Sequence, residues 1–304
     1  IPDYFRVKYV EPDLEVKLTG SMKSLAADKT NRMLGRDIYD LGNGVLFCEL
    51  DMPVVHMFGL RSKWRVLVEG LNRDRARITM TIPFLQLAPV QSMVTSFLSK
   101  SCLLFVLMRL LRKGFGLCHA SAVSRQGRAY LFFGYSDTGK STVASSLAEL
   151  GFEYMSDDHI IVDQSGGVYC YPEPIRPRSP PRIPVLDYLA KRSWKPITFS
   201  IQRDAKVDTI FILERGKDNV VEVDRREAIR RLMLLNIKEI QWMWDSPLSR
   251  VADHYSYAYP ELDLDHLVEE YKSCVRGLVG KAKRCIVVQS RSKQFSVERV
   301  ISGQ

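Results

Sequence analysis

Alternating hydrophobic and polar residues dominate the first hundred positions of the chain. In the clearest run, Arg75-Ala-Arg-Ile-Thr-Met-Thr-Ile, every second side chain is apolar, a pattern typical of a strand with one buried face. Turn residues separate this run from others like it. The predicted strands are Tyr4–Val10, Glu15–Leu18, Gly44–Glu49, Trp64–Glu69 and Arg75–Ile82. We therefore expect residues 1–90 to form a β-rich module.

Helical spacing replaces the alternation at Gln91–Leu111, where apolar residues recur every three or four positions. Arg112-Lys-Gly114 then supplies a cation pair and a glycine, both typical of a helix C-terminus. Two β runs follow, Gly116–Val123 and Ala129–Phe133, and the polar, glycine-containing segment between them suits a hairpin turn. The helix is expected to lead into a second domain, residues 91–304.

Helical and β patterns both occur in the rest of this second domain. The predicted helices are Ser141–Glu149, Arg225–Asn236 and Leu264–Val279, and the predicted strands are Phe152–Met155, Ile160–Asp163, Val168–Tyr171, Val207–Leu213 and Ile286–Gln289. Together these patterns predict an α/β (α+β) fold.

Composition narrows the class of protein. The 304 residues are 46% hydrophobic and 26% charged, which is typical of globular proteins and excludes disordered and fibrous chains. Polar residues and prolines interrupt every long apolar stretch before it reaches the ~20 residues of a membrane span, so we expect a soluble protein without a membrane partner. The six cysteines show no metal-ligand spacing, which favours reduced thiols and a cytoplasmic location.

The net charge of +9 favours polyanionic partners such as nucleotides, nucleic acids or acidic peptides. Part of this charge is local, because eight basic residues and a single acid lie between Lys272 and Arg299. This stretch is either a solvated face or a nucleic-acid surface, and the solvated face is the favoured interpretation.

A phosphate-loop pattern lies at the start of the second domain. Gly134-Tyr-Ser-Asp-Thr-Gly-Lys-Ser-Thr142 matches GxxxxGK[ST] between an apolar strand and a helix-forming run. In such a loop, backbone N–H groups surround the phosphates of ATP, the lysine reaches the β and γ phosphates, and the serine hydroxyl joins the Mg²⁺ shell. The predicted nucleotide-binding residues are Gly134, Ser136, Asp137, Thr138, Gly139, Lys140, Ser141 and Thr142. The alternative is a glycine turn without a ligand, which the correct flanks disfavour.

Asp157 and Asp158 follow a predicted strand, with Asp157 seventeen residues after Lys140. That interval accommodates one helix, a reversal at Gly151 and one strand, so the acids should return to the sheet edge that carries the phosphate loop. One acid could hold Mg²⁺ while the other accepts the proton of an incoming hydroxyl. Ser-Asp-Asp is also an ordinary turn or helix cap, but the spacing favours function.

His119 precedes Gly134 by fifteen residues, on the first strand of the predicted hairpin. A histidine on a strand is most often a packed core residue. If His119 instead pairs with Asp157, it would orient or polarise that carboxylate.

Three motifs in this order resemble the catalytic domain of HPr kinase/phosphorylase and its HPr-kinase-like serine kinase relatives, which share a phosphoenolpyruvate-carboxykinase-like P-loop fold. The motifs are Cys118-His-Ala-Ser-Ala-Val123, the phosphate loop and Ser156-Asp-Asp158, and the likeness covers about residues 94–213. The resemblance implies that Asp157 is the catalytic base, that His119 interacts with it, and that Lys140 is catalytic. It also implies that Ser141 belongs to the metal shell and that Asp158 is a supporting or metal-shell acid.

The chain departs from the family pattern in two places. Thr142 follows the loop serine where HPr kinases usually carry an acid, and no Glu-x-Arg-Gly-x-Gly segment is present. Since that segment is linked to phosphorolysis in the family, the reverse reaction is not expected of this chain.

Three functional classes compete at this point. The favoured one is an ATP-dependent kinase that uses Mg²⁺ and transfers the γ-phosphoryl group to a hydroxyl, with a serine of a protein, a peptide or a small metabolite as the expected acceptor. A non-catalytic nucleotide-binding regulator is disfavoured by the two acids and His119. A nucleic-acid-directed phosphotransferase or binder is motivated only by the basic charge. The sequence leaves homo-oligomerisation open.

Two further clusters are less specific. Three arginines lie in a proline-rich stretch after the acid pair, where they would either contact phosphate or face solvent. They are Arg176, Arg178 and Arg182. An aromatic cluster around His254 would form either a ligand wall or a packing contact, and packing is favoured. Its members are Trp242, Trp244, Tyr255, Tyr257 and Tyr259.

Overall fold

The computed structural model describes residues 12–19, 32–55, 60–82, 102–171, 199–244, 248–291 and 301. Within them the chain divides into two compact units. The phosphate-loop unit takes its residues from 110–239 and 269–304, and the six-stranded unit takes its residues from 9–109 and 240–268. The six-stranded unit is therefore built from two separate segments of the chain. The predicted boundary at residues 90 and 91 lies outside the described residues.

The six-stranded unit contains the β-rich pattern of the N-terminal region. Its strands are β1 (Leu14–Thr19), β2 (Arg32–Gly35), β3 (Ile38–Gly42), β4 (Val45–Val55), β5 (Leu60–Glu69) and β6 (Ala76–Thr81), in the order β1-β6-β5-β4-β3-β2. Neighbours are antiparallel except for β1 and β6, which run parallel. On β6 the alternation holds, because Ala76, Ile78 and Met80 are buried.

Four of the five predicted N-terminal strands are confirmed by β1, β4, β5 and β6. The fifth prediction, Tyr4–Val10, lies outside the described residues. Strands β2 and β3 were not predicted. They are only four and five residues long, and Asp37, in the tight turn between them, has a φ of 62°. The two strands have a single buried residue between them, Ile38, so no apolar face stands out in the sequence.

Among the described residues, the remaining elements are five helices and eight strands, in mixed order. They are α1 (Leu103–Leu111), β7 (Phe115–Arg125), β8 (Arg128–Phe133), α2 (Lys140–Glu149), β9 (Glu153–Ser156), β10 (His159–Asp163), β11 (Gly167–Cys170), β12 (Asp204–Arg215), β13 (Asn219–Glu222), α3 (Arg225–Trp244), α4 (Ser249–Ala258), α5 (Leu264–Lys281) and β14 (Arg284–Ser290). The mixed α/β class and the β7–β8 hairpin are confirmed. Elements β13 and α4 were not predicted, and α3 continues beyond its predicted end at Asn236.

The second sheet has eight strands in the order β11-β10-β7-β8-β12-β14-β13, with β9 paired to β7. Strands β8, β12 and β14 are parallel neighbours, so their carboxyl ends meet at one edge. The apolar side of α2, with Val143 and Leu147, packs against Phe132 and Phe211 of this sheet. This packing fixes the start of α2 beside the end of β8. Among the described residues, no helix combines the length and the hydropathy needed to cross a bilayer.

Candidate active site

The loop between β8 and α2 is shaped by its glycines. A Cβ atom on Gly134 would lie 2.6 Å from Thr138 Oγ1 and 2.7 Å from the carbonyl oxygen of Leu213, so only glycine fits there. Gly139 precedes α2 with a φ of 106°, a backbone conformation that glycine adopts at little cost. The N-terminus of α2, whose first N–H groups have no acceptor within the helix and which carries the positive end of the helix dipole, therefore adjoins the loop.

Lys140 is the first residue of α2 and is only 6% exposed. Its ammonium group donates hydrogen bonds to the carbonyl oxygens of Gly134, at 2.7 Å, and of Tyr135, at 3.2 Å. The Thr138 hydroxyl also donates to the Tyr135 carbonyl, at 2.8 Å. The loop backbone therefore curves around the Lys140 ammonium group, so the positive charge lies inside the loop.

The acid pair lies between β9 and β10, which both pair with β7. Ser156, at the end of β9, pairs with Ala122, and His159, at the start of β10, pairs with His119. Asp157 and Asp158 therefore lie in register beside Ser121 and Ala120 of β7. The acid pair follows β9 as expected. After it the chain stays in the sheet as β10, and β7 is long enough to pair with β9 and β10 one after the other.

The phosphate loop starts at the same level on the other side of β7. Phe133, the residue before Gly134, pairs with Ala120 of β7. The loop entrance and the acid pair are thus separated by a single strand. Since neighbouring strands are ~4.8 Å apart, the two backbones lie on the order of 10 Å from each other. A phosphate group with its metal ion can span a separation of this size.

Asp157 is 5% exposed and is held by Ser121, whose hydroxyl donates to the Asp157 backbone carbonyl. The same hydroxyl lies 3.4 Å from Asp157 Oδ1. Ser121 was not among the predicted site residues. The sequence signals for Ser121 are its place in the Cys118–Val123 motif and its polar side chain in a largely apolar strand, and the second is weak because serine is tolerated in buried strands.

His119 lies on β7, between the loop entrance and the acid pair. Burial lowers the pKa of its imidazole to about 3, with further lowering by the charges of Lys140 and His159, against the opposing effect of Asp158. The ring is therefore neutral at physiological pH. Lys140 and Asp158 both lie close enough to act on His119 electrostatically, so β7 brings the lysine, one acid and the histidine together. The predicted pairing partner was Asp157, whereas the acid that contributes to this pKa is Asp158.

A buried asparagine fixes the backbone of His119. Asn236 on α3 is 1% exposed, and its side-chain oxygen accepts a hydrogen bond from the His119 N–H at 2.9 Å. Because β8 pairs with β7 only as far as Ala120, this N–H lies just beyond the β7–β8 ladder, and Asn236 satisfies it. Sequence reasoning missed this residue because the asparagine suggested a helix end, whereas α3 continues past it.

Rings extend from His119 across two neighbouring strands. His119 and His159 meet edge to face with centroids 5.6 Å apart, and His159 meets Tyr171 at 5.7 Å. The Tyr171 backbone is tied to Ser156, whose hydroxyl donates to the Tyr171 carbonyl at 3.0 Å. A hydrogen bond therefore joins Ser156, the residue before the acid pair, to Tyr171, the last ring of this row. Neither His159 nor Tyr171 was a predicted site residue.

The structure also places the less specific clusters. In the basic C-terminal stretch, Lys272, Lys283 and Arg284 form ion pairs with Glu269, Asp208 and Glu222 respectively. This pairing favours the solvated-face interpretation of that stretch. The three arginines of the proline-rich stretch lie outside the described residues, as do the side chains of Trp242 and Trp244.

The two central tyrosines of the aromatic cluster serve packing, as expected. The Tyr255 hydroxyl accepts from the Leu71 N–H at 3.0 Å and donates to the Gly44 carbonyl at 2.8 Å. The Tyr259 hydroxyl accepts from the Val45 N–H at 3.2 Å. Both tyrosines therefore fasten turns of the six-stranded unit, and Tyr257, at 71% exposed, is the member that faces solvent.

A cleft of about 530 Å³ lies elsewhere in the phosphate-loop unit, where β13 leads into α3. Its lining residues are Glu222, Val223, Asp224, Arg225, Arg226, Ala282, Lys283 and Cys285. None of them belongs to the predicted site, and their charges are mixed. The convergence of side chains around β7 is a better guide to chemistry than the size of this open cleft.

Comparisons with known proteins give structural likenesses but no sequence match. No protein-family model matches the chain, and no curated protein matches it. Among solved structures, the chain is similar to the Hpr(Ser) kinase/phosphatase from Coxiella burnetii, with 16% sequence identity and a TM-score of 0.25. The match covers 35% of this chain and 76% of that one. A TM-score of this size does not establish a shared fold.

Proposed function

We propose that this chain is an ATP-dependent kinase that transfers the γ-phosphoryl group to the hydroxyl of a serine-like acceptor. The observation that carries the proposal is the arrangement around β7. The phosphate loop lies on one side of this strand and the acid pair on the other, while Lys140 and Asp158 both act on His119. The expected cytoplasmic location stays a prediction.

The proposed reaction uses the loop to hold ATP. When the triphosphate enters, the Lys140 ammonium exchanges the carbonyls of Gly134 and Tyr135 for oxygens of the β and γ phosphates. Backbone N–H groups of residues 138–141 and the positive end of α2 add further stabilisation of the negative charge. The remaining predicted contacts, from Ser136, Asp137 and Thr142, belong to the same cradle.

The acid pair supplies the base. As the acceptor oxygen forms its bond to the γ-phosphorus, Asp157 takes the hydroxyl proton, and the bond to the β,γ-bridging oxygen breaks to release ADP. Ser121 holds Asp157 in place through the backbone carbonyl, while the neutral ring of His119 contributes no charge of its own. A neutral neighbour leaves the carboxylate basic, whereas an imidazolium would lower its proton affinity.

The residues also suit Mg²⁺. In nucleotide sites this ion usually takes only one or two protein oxygen ligands, and phosphates and waters complete its octahedron. The Ser141 hydroxyl and the Asp158 carboxylate provide such a set. The described residues contain no group of three or more His, Cys, Asp or Glu side chains able to hold a metal ion. When bound, the ion would neutralise charge on the transferred phosphoryl group.

The test is a transfer assay with γ-labelled ATP. The acceptors would be free serine, a mixture of serine-bearing peptides, a protein extract and RNA, each with and without Mg²⁺. Acid-stable label on a serine, lost when EDTA is present, would support the proposal. ATP binding without transfer to any acceptor would favour the nucleotide-binding regulator, and label on RNA would favour the nucleic-acid class.

A further inference from the structure

Arg215 connects the phosphate loop to two neighbouring strands. It is the last residue of β12, which lies on the opposite side of β8 from β7 and the acid pair. Its guanidinium donates one hydrogen bond to the backbone carbonyl of Asp137, at 2.8 Å, and another to that of Arg291, at 3.4 Å. One side chain thus joins the loop, the end of β12 and the residue that follows β14.

The loop residue that Arg215 contacts has an unusual backbone. Asp137 has a φ of 63°, in the left-handed region that aspartate adopts more easily than most residues but still at some cost. A carbonyl in a phosphate loop is a hazard if it turns inward, because its partial negative charge would oppose the phosphates that the neighbouring N–H groups attract. The bond to Arg215 fixes the direction of this carbonyl.

The end of β14 is itself anchored. The Arg291 N–H donates to Asp218 Oδ1 at 3.0 Å, and the Gly216 N–H donates to the Ser290 carbonyl at 3.3 Å. Arg215 therefore fastens the loop to a support that does not depend on nucleotide. Its charge also lies on the side of the loop away from the acid pair.

We propose that Arg215 is a positioning residue for nucleoside-triphosphate binding, which holds the Asp137 carbonyl out of the phosphate cradle. The inference rests on the proposed function, since it assumes that the loop binds ATP. Arg215 acts through the loop backbone and is not a catalytic residue. Nothing in the sequence motif identifies it, because it lies 78 positions after Asp137.

The experiment compares Arg215→Ala, Arg215→Lys and the control Lys217→Ala, which removes the same charge from an exposed position two residues further on. ATP affinity is measured by calorimetry, and amide exchange of residues 134–140 is measured by mass spectrometry without ligand. Arg215→Ala should weaken ATP binding about five- to tenfold, the usual scale for one lost hydrogen bond, and accelerate exchange in the loop. Arg215→Lys should recover part of both, and Lys217→Ala should alter neither by more than about twofold.

Two outcomes would overturn the inference: unchanged ATP affinity in Arg215→Ala, or an equal loss of affinity in Lys217→Ala. Lys140→Ala, measured in parallel, separates this from the proposed function. If Lys140→Ala weakens ATP binding while Arg215→Ala does not, only the role of Arg215 is wrong. If neither variant changes the affinity, the loop does not bind ATP and the proposed function fails as well. Thermal unfolding of each variant verifies that the fold is intact.

Discussion

The buried Tyr255 hydroxyl of the six-stranded unit and the buried polar groups around β7 of the phosphate-loop unit differ in their hydrogen bonding. In the six-stranded unit, the Tyr255 hydroxyl accepts one hydrogen bond and donates to nearby acceptors, so its bonding capacity is used within the fold. In the phosphate-loop unit, the Nδ1 atom of His119 is buried without a hydrogen-bond partner in the described structure. The Lys140 ammonium is buried against carbonyls that a phosphate group could replace.

This difference separates groups that stabilise a fold from groups that serve chemistry. A buried donor or acceptor without a partner costs folding free energy, so a fold rarely keeps one by chance. The tyrosines lower the free energy of turns that would otherwise leave backbone groups unsatisfied. Around β7, the unpartnered ring nitrogen and the buried cation lie beside the phosphate loop and the acid pair. Polar burial therefore indicates function only where such groups gather beside a candidate site, since Thr81 Oγ1 of the six-stranded unit is also buried without a hydrogen-bond partner.

The largest expected effect comes from Asp157→Asn. The change keeps the size of the side chain and its contact to Ser121 but removes the base, so turnover should fall by ~10²–10⁴ while ATP affinity stays nearly constant. Label-transfer rates and calorimetry measure the two quantities. If the variant instead loses nucleotide affinity, Asp157 acts on the metal side and Asp158 takes the role of base.

The His119→Ala variant tests whether His119 and Asp157 act as one catalytic unit. If His119 supports the acid pair and does not receive the proton, turnover should fall less than in Asp157→Asn. The double variant should then lose little beyond Asp157→Asn, because groups that act together are not additive. Transfer rates of the two single variants and the double variant form the cycle. Fully additive losses would separate His119 from the catalytic unit.

Lys140→Ala should reduce ATP affinity by an amount that corresponds to ~1.5–3 kcal/mol, the scale of a hydrogen bond to a charged group. The ammonium group is buried, so the variant could also alter the empty loop, and thermal unfolding is measured beside calorimetry. Lys140→Arg is a useful second variant, because it keeps the charge in a different shape. Unchanged affinity in both variants would contradict the phosphate-loop assignment.

The Tyr255→Phe variant tests whether the buried Tyr255 hydroxyl stabilises the six-stranded unit without affecting ATP binding. Loss of the hydroxyl leaves the Leu71 N–H and the Gly44 carbonyl without this partner, which should lower the free energy of unfolding by ~1–3 kcal/mol. ATP affinity should not change. Urea unfolding measures the loss, and Tyr257→Phe, at a position that is 71% exposed, is the matched control. A strong effect on ATP affinity would show that the two units do not divide the roles as proposed.

The smallest expected effect is a pH dependence at Asp163. Burial disfavours the charge on this carboxylate, but hydrogen bonds from Gly167, Ser165 and Tyr169 outweigh it and lower the pKa to about 2. Because the folded pKa lies below the unfolded value of ~3.9, the stabilisation is complete above pH ~4 and is lost as pH falls towards 2. Asp163→Asn should therefore be less stable than the parent at pH 7, with a gap that narrows below pH 4. Unfolding curves across this range measure the gap, and a constant gap would contradict the assignment.

Local patterns were sufficient to predict much of the fold. Alternation predicted β6, helical spacing predicted α2 and α5, and the glycine-containing turn predicted the β7–β8 hairpin. Each of these elements is long enough for its period to repeat, and its apolar face is buried against one neighbour. Strands β2, β3 and β13 have four or five residues and together only one buried residue, Ile38, so they lack the buried apolar positions of the equally short β9 and β11.

The sequence by itself determined the phosphate loop, the acid pair and the hairpin that carries His119, because each depends on residue types at short, fixed intervals. Only the tertiary structure decided that Asn236 supports His119, that Ser121 holds Asp157, and that Arg215 fastens the loop. These partners lie 117, 36 and 78 positions apart in the chain. A contact over such a distance is set by which strands and helices become neighbours, and that choice depends on the packing of the whole core and on no local pattern.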